Sequence, residues 1–477
     1  MARYPNAIGG SYTSESPIVD QERTVNWYIE RTEVPGAKAK AVLYPAPGVE
    51  SFVDTGNLNG RGMFAMDGRC FAVVGTGLYE ISSVAVSTSR GTVATDLNPA
   101  TMCTNGDGGG QLFVTSGDNG YILTLSTGVL TLERTGATAQ GAMLDGYFLA
   151  LDSATSTLYL SDLLDGTIWD PTQYAQRSIA PDPWIAMAVN YREIWLFGSE
   201  TSEVWVNVGT FPFPFAPHPS GLVPYGIAAP FSVKNVAGTL IWLTRTANGA
   251  GQVVAASGLN PTVISTHALQ TAIADYATID DAIGDTFSML GHTFYVLTFP
   301  TAKHTWVYDT STQLWCEFLT WVPDDNEYIA WRPLFHAYAF QKHLILDRSS
   351  GVVYNLSHEF TTDVDGDYIR RLRRFPGLTN EMKRTFYDRF QLYLETGLGL
   401  SSGQGSDPQV MMRVSNDGGK TWGPERSRAA GAEGQYKLRV LWERCGSARD
   451  RVFEISVTDP IPWRIVDAFL SVRQARS

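Results

Sequence analysis

Gly146–Leu160 reads GYFLALDSATSTLYL: a short apolar run, a polar stretch of Asp, Ser and Thr, then a second short apolar run. Each run is too short for a helix, and Asp, Ser and Thr side chains satisfy the backbone of a tight reversal, so the stretch predicts a β-hairpin. The plan occurs upstream as Phe71–Ile81 (FAVVGTGLYEI) and Gln111–Leu125 (QLFVTSGDNGYILTL). Downstream it recurs as Arg192–Asn207 (REIWLFGSETSEVWVN), Gly238–Ser257, His292–Tyr308 and Lys342–Asn355 (KHLILDRSSGVVYN). Successive starts lie roughly 35 to 55 residues apart, the spacing of β-propeller blades. The expectation is an all-β protein in which residues 51–360 form a β-propeller of about seven blades, with six or eight as the alternatives.

Composition agrees. The 477 residues include 12% aromatics, 45 Gly and 24 Pro, which suits many short strands joined by turns, and 18% charged residues is too few for a disordered chain. The opening MARYPNAIGGSYTSESP lacks a basic start followed by an apolar stretch, so no secretory signal is expected. No window approaches the roughly 20 apolar residues that cross a bilayer, and the chain reads as made in the cytoplasm. Cys70, Cys103, Cys316 and Cys445 are scattered without metal-ligand spacing and are expected as buried free thiols. The formal net charge of −12 is uneven: residues 1–360 carry 17 Lys and Arg against 33 Asp and Glu (−16), and residues 361–477 carry 19 against 15 (+4). Phosphate binding needs clustered Lys and Arg, so the acidic body argues against general affinity for nucleic acid and fits a surface past which DNA slides without sticking.

Working outward, residues 1–50 form an opening segment. Its one clear strand, Thr24–Glu30 (TVNWYIE), alternates Val25, Trp27 and Ile29 with Thr24, Asn26 and Tyr28. By position it is expected to close the ring on the last blade, which removes both exposed edges. Inside the repeat region, Phe211–Pro219 (FPFPFAPHP) is expected as an extended loop because each Pro removes a backbone donor, with Phe211, Phe213 and Phe215 as candidate docking side chains. Asp275–Ile283 is expected to form one turn of helix between blades.

From about residue 361 the repeat stops. Thr361–Asp367 (TTDVDGD) is a turn-rich joint, followed by the basic run Arg370, Arg371, Arg373 and Arg374, expected at an interface with a neighbouring subunit. Alternating strands follow: Arg384–Glu395, Gln409–Ser415, Gln435–Arg444, Arg451–Val457 and Trp463–Val472, which predict a C-terminal antiparallel β-sandwich over 361–477. In the first of these, Tyr387, Arg389, Gln391 and Tyr393 form one expected face, and Phe386, Asp388, Phe390 and Leu392 the other.

Motifs that carry chemistry are few. Ser415–Trp422 (SNDGGKTW) matches an Asp-box, in which Ser415 and Asp417 satisfy backbone donors of a hairpin turn, Gly419 allows positive φ and Trp422 packs beneath; the expected role is structural. Asp363, Asp365 and Asp367 alternate as in part of a calcium loop, but no Glu stands where a full loop closes. There is no HExxH and no GxxxxGK[ST]. No catalytic residue, metal site or cofactor is therefore expected.

Several short stretches together resemble a known family: VNWYIE (Val25–Glu30), the PGV turn (Pro47–Val49), the seven hairpins, SNDGGKTWGPERSR from Ser415, and KLRVLWERCGSARDRVFEISVTDPIPW (Lys437–Trp463). They are similar to the packaged-DNA stabilisation proteins, the tail hub or nozzle of short-tailed bacteriophages. The resemblance implies a structural, non-enzymatic virion protein, forming a six-fold ring below the portal and adaptor that extends the DNA channel. It implies tail spikes or fibres and a needle or plug as partners, and double-stranded DNA passing without sequence-specific binding or membrane insertion. Two other readings compete: a glycan-degrading propeller of the sialidase kind, and a peptide-binding propeller scaffold.

Overall fold

The computed structural model describes residues 1–474 apart from Ser178 and Ala247. Every expected hairpin forms, and each is the middle pair of a four-stranded antiparallel meander. The first blade is Gly60–Met66, Arg69–Val74, Gly77–Ile81 and Ser87–Thr92. Units over 101–134, 140–176, 186–223, 234–263 and 283–317 follow. The last blade joins Pro333–Ala339, Lys342–Asp347 and Val352–Ser357 to Gly48–Asp54. Six of these units stand as sheets of their own, while the unit over 283–317 has the same meander but continues into a larger sheet.

The second strand of each blade is apolar on both faces because a blade packs against a neighbour on each side. Ile194 and Leu196 join the core shared with the 140–176 blade, and Trp195 and Phe197 the core shared with the 234–263 blade. The ring closes where Leu334, Leu344 and Leu346 of the last blade meet Cys70, Ala72 and Val74 of the first. Next to the axis, backbones approach so closely that a side chain is excluded: a Cβ on Gly284 would lie 2.2 Å from the Ser232 carbonyl. Turn chemistry repeats as well. Asp152 accepts from Ala154 N (3.0 Å), Asp309 from Ser311 N (2.9 Å) and Asp347 from Ser349 N (2.9 Å), each closing a tight hairpin.

The chain ends depart from expectation. Asn26 lies at φ +60° and splits the predicted Thr24–Glu30 strand into Gln21–Val25 and Trp27–Arg31, which enter different sheets. Its amide fixes the corner, donating to the Leu319 and Arg370 carbonyls (2.8 and 2.9 Å) and accepting from Leu319 N (2.8 Å). Neither half closes the ring; Gly48–Asp54 does, antiparallel to Val352–Ser357.

The sandwich has two sheets. One orders Trp27–Arg31, Ala41–Pro45, Ile465–Gln474, Thr385–Leu394 and Val440–Glu443. The other runs from the 283–317 blade through Gln21–Val25, Arg371–Arg374, Asp450–Val457 and Gln409–Ser415 to Arg426–Ala429. Between them lies a core containing Tyr4, Trp27, Phe390, Trp442, Phe453 and Trp463. In Thr385–Leu394 a bulge between Tyr387 and Arg389 switches the inward face, so Tyr387 is buried together with Phe390 and Leu392.

Two further expectations are corrected. Phe215–Val223 is a strand despite Pro217 and Pro219, because it is the outer strand of its blade and its outward edge needs no backbone donor. The helix after the 234–263 blade is His267–Ala274, earlier than Asp275–Ile283, and it is capped by Thr266 accepting from Leu269 N. All four cysteines are free; Cys70, Cys316 and Cys445 are buried and Cys103 is half-buried.

Candidate functional site

The basic run becomes strand Arg371–Arg374, held between Gln21–Val25 and Asp450–Val457. Arg373 is fully buried and uses its whole guanidinium on the opening segment. It donates to the carbonyls of Ala7 (3.0 Å), Gly9 (3.1 Å) and Gly10 (3.2 Å), to Thr24 Oγ1 (2.9 Å) and to Glu22 Oε1 (2.6 Å). Arg371 is equally buried, and burial pushes its guanidinium down to about 10, with Asp363 opposing that fall. Burial in turn lifts the Asp363 carboxyl to about 6. The expected subunit contact is therefore corrected for Arg371 and Arg373, which are both buried inside their own chain, Arg373 with its guanidinium fully hydrogen-bonded there. Only the partly exposed Arg370 and Arg374 look outward.

These two line a cleft of about 710 Å³ between the hairpin Leu319–Val322/Glu327–Ala330, the arginine strand and the Asp-box turn. The Arg370 guanidinium lies 4.2 Å above the Trp321 ring, and its nearest carboxylate is Glu425 at 3.7 Å. Arg374 and Arg413 share the buried Glu454 (2.8 and 2.5 Å) and each stacks 4.8 Å from the Trp422 ring. Arg23 completes the cationic lining and pairs with the buried Glu317. Burial alone would raise the Glu317 carboxyl, but Arg23 and His304 override it and hold it well below the usual carboxylate range. Arg23, Trp321, Tyr328 and Arg413 carried no motif in the sequence; they belong to separate strands that only the fold brings together.

The Asp-box forms as expected at its turn. Ser415 Oγ accepts from Gly419 N (2.9 Å) and donates to Asp417 (2.6 Å), and Asp417 accepts from Thr421 N (2.9 Å). Hydrogen bonds from Ser415 and Thr421 hold the Asp417 carboxyl well below its ordinary value. Gly419 sits at φ +89°. The Trp422 ring, however, faces Arg374 and Arg413 in the cleft.

The three phenylalanines separate. Phe215 is buried, Phe213 packs edge-on against Trp205 and Phe215, and Phe211 is 91% exposed. A second cavity of about 820 Å³ opens at the propeller axis, where Asp96, Asp118, Asp280 and Asp281 face Arg61 and Arg348. Asp365 pairs with Arg332 and Asp363 accepts from Val364 N, so the alternating carboxylates of 363–367 point to different partners. Among the described residues no three metal-ligating side chains converge. No helix there is long and apolar enough to cross a membrane.

A family model described as bacteriophage P22 Gp10, beta-propeller, matches residues 8–361, and one described as bacteriophage P22 Gp10, beta-sandwich, matches residues 371–473. No curated protein matches the chain. Among solved structures, a streptogramin B lyase aligns at 9% identity over 72% of this chain and 99% of its own, with a TM-score of 0.42. The virginiamycin B lyase from Staphylococcus aureus aligns at 8% identity over 65% and 99%, with a TM-score of 0.45. The N-terminal domain of Nup159 aligns at 10% identity over 70% and 98%, with a TM-score of 0.39. These three likenesses are too distant to bear on function. The family models are not: the chain belongs to the bacteriophage P22 Gp10 family, the packaged-DNA stabilisation proteins of short-tailed phages that its sequence resembles.

Proposed function

We propose that the protein is a hub or nozzle subunit of a phage tail, one of six in a ring below the portal and adaptor that extends the DNA channel, helps retain packaged DNA and anchors tail spikes or fibres. The carrying observation is the family match across both domains, 8–361 and 371–473. Membership in a phage structural family supports a virion location and a mechanical role over a catalytic one.

Two features of the molecule support this reading. One sheet runs from the 283–317 blade into the sandwich, which makes each subunit a stiff spoke. The charge of −16 on residues 1–360 suits a wall that does not hold phosphate.

A contact surface is also available. In a four-stranded meander, the first-to-second and third-to-fourth turns emerge at the same end of the ring. On that end stand Val84 (77% exposed), Tyr191 (78%), Phe211 (91%), Leu290 (71%) and Tyr338 (58%). Apolar side chains repeated around one face suit burial against a neighbouring subunit or tail protein.

Quantitative mass spectrometry of purified phage particles tests the proposal. The chain is expected at half the copy number of the portal subunit. Its absence from particles overturns the reading, and turnover of a glycoside by the pure protein then favours the sialidase-like alternative.

A further inference from the structure

The cleft at the joint holds more positive charge than its own carboxylates answer. Glu317 is committed to Arg23, and the single Glu454 carboxylate serves both Arg374 and Arg413. Arg370 has only Glu425, half-exposed and 3.7 Å away, and among the described residues its guanidinium donates no hydrogen bond. The other rim carboxylate, Glu327, is drawn aside by Lys303 at 3.0 Å. Stacking on Trp321 and Trp422 holds Arg370, Arg374 and Arg413 in place, so little side-chain freedom remains to be lost when an anion arrives. Preorganised guanidiniums of this kind favour planar oxyanions, which they bind through paired N–H donors.

We propose that this cleft is a docking site for a short acidic peptide segment of another chain, whose carboxylates meet Arg370 and Arg413 while its apolar side chains lie on Met411 and the edges of Trp321 and Tyr328. Nucleic acid fits less well. Base stacking needs open aromatic faces, and here guanidiniums already lie over Trp321 and Trp422. The strongly acidic residues 1–360 would also repel a long polyphosphate, whereas a short mixed segment reaches the cleft alone. The inference goes beyond the hub reading and holds whether or not the chain forms a tail ring.

The test is a titration of the full-length protein with a short blocked oligoglutamate peptide that carries interspersed leucines, followed by calorimetry and tryptophan fluorescence. The expected result is one site per chain, a change in tryptophan emission, and an affinity that falls at least about tenfold in Arg370→Ala/Arg413→Ala. A control, Arg384→Ala/Arg449→Ala, removes the same charge from exposed positions and is expected to bind as the natural protein does. If the cleft double variant fails to fold, Arg370→Gln alone carries the test, because that guanidinium supports no internal hydrogen bond. No binding at roughly millimolar peptide overturns the proposal. So does an equal loss in the control variant, or equally tight binding of oligothymidylate or of a polysialic acid.

Discussion

In the propeller, residues close in sequence are close in space, whereas the sandwich is built from the two ends of the chain. Every blade but the last is a meander of consecutive strands, and a blade such as 186–223 shares its core with the blades on either side. In the sandwich, Arg373 donates to Ala7 across 366 positions, and Trp27 packs in one core with Trp442 and Trp463. Closing so long a loop costs only slightly more entropy than closing a short one, since the cost grows with the logarithm of length. The sandwich can therefore act as a clasp. It holds residues 1–45 against the C-terminal strands, and the chain leaving it supplies Gly48–Asp54, the strand that closes the ring. A repeating fold is thus locked by its least repetitive part.

The sharpest way to break this clasp is Arg373→Met. It strips the opening segment of its anchor and leaves Glu22 unpaired, so a loss of about 3–5 kcal/mol is expected. Calorimetry should then show the sandwich melting before the propeller, and an unchanged single transition would refute the clasp. Phe215→Ala removes a buried side chain between two blades and is expected to cost about 3 kcal/mol, read as a lowered chemical-denaturation midpoint. Gly284→Val forces a side chain against the Ser232 carbonyl and is expected to cost about 1–3 kcal/mol, mostly within the propeller.

The acid limb sharpens the comparison at the junction itself. Glu317 titrates far below its ordinary value in the folded state, so its contribution is complete above the unfolded value of about 4.3 and drains away as pH falls below it. Stability measured from pH 6 down to pH 3 should fall in the natural protein and fall less steeply in Glu317→Gln. An identical slope in both would show that another carboxylate governs the limb. The smallest effect is expected for Phe211→Ala, within about 0.5 kcal/mol, because the ring is 91% exposed in the single chain. The same change is expected to weaken assembly if the turn face is a contact surface.

The seven hairpins and most sandwich strands were legible because a strand buried on both faces must be continuously apolar and a tight turn must carry Gly, Asp, Asn or Ser. Those are local requirements. The arginine run was legible as a charge cluster, but its destination was not: a strand alternates its side chains, and which side is interior depends on the sheet laid over it. The same holds for Phe211–Phe215, where one side of an edge strand fills a blade core and the tip is left in solvent.

Local sequence alone determined the blade hairpins, their spacing and the Asp-box turn, since each is satisfied by residues within one reversal of the chain. Tertiary structure alone decided that Asn26 divides the opening strand between two sheets, that Gly48–Asp54 closes the ring, and that Arg373 is an internal anchor. It also decided the cleft, where Arg23, Trp321, Arg370 and the Arg413–Trp422 hairpin converge from four separate segments. The physical reason is common to all of these. Hydrogen-bond partners and burial for such residues come from segments tens to hundreds of positions away, and no local pattern records which distant segment will arrive.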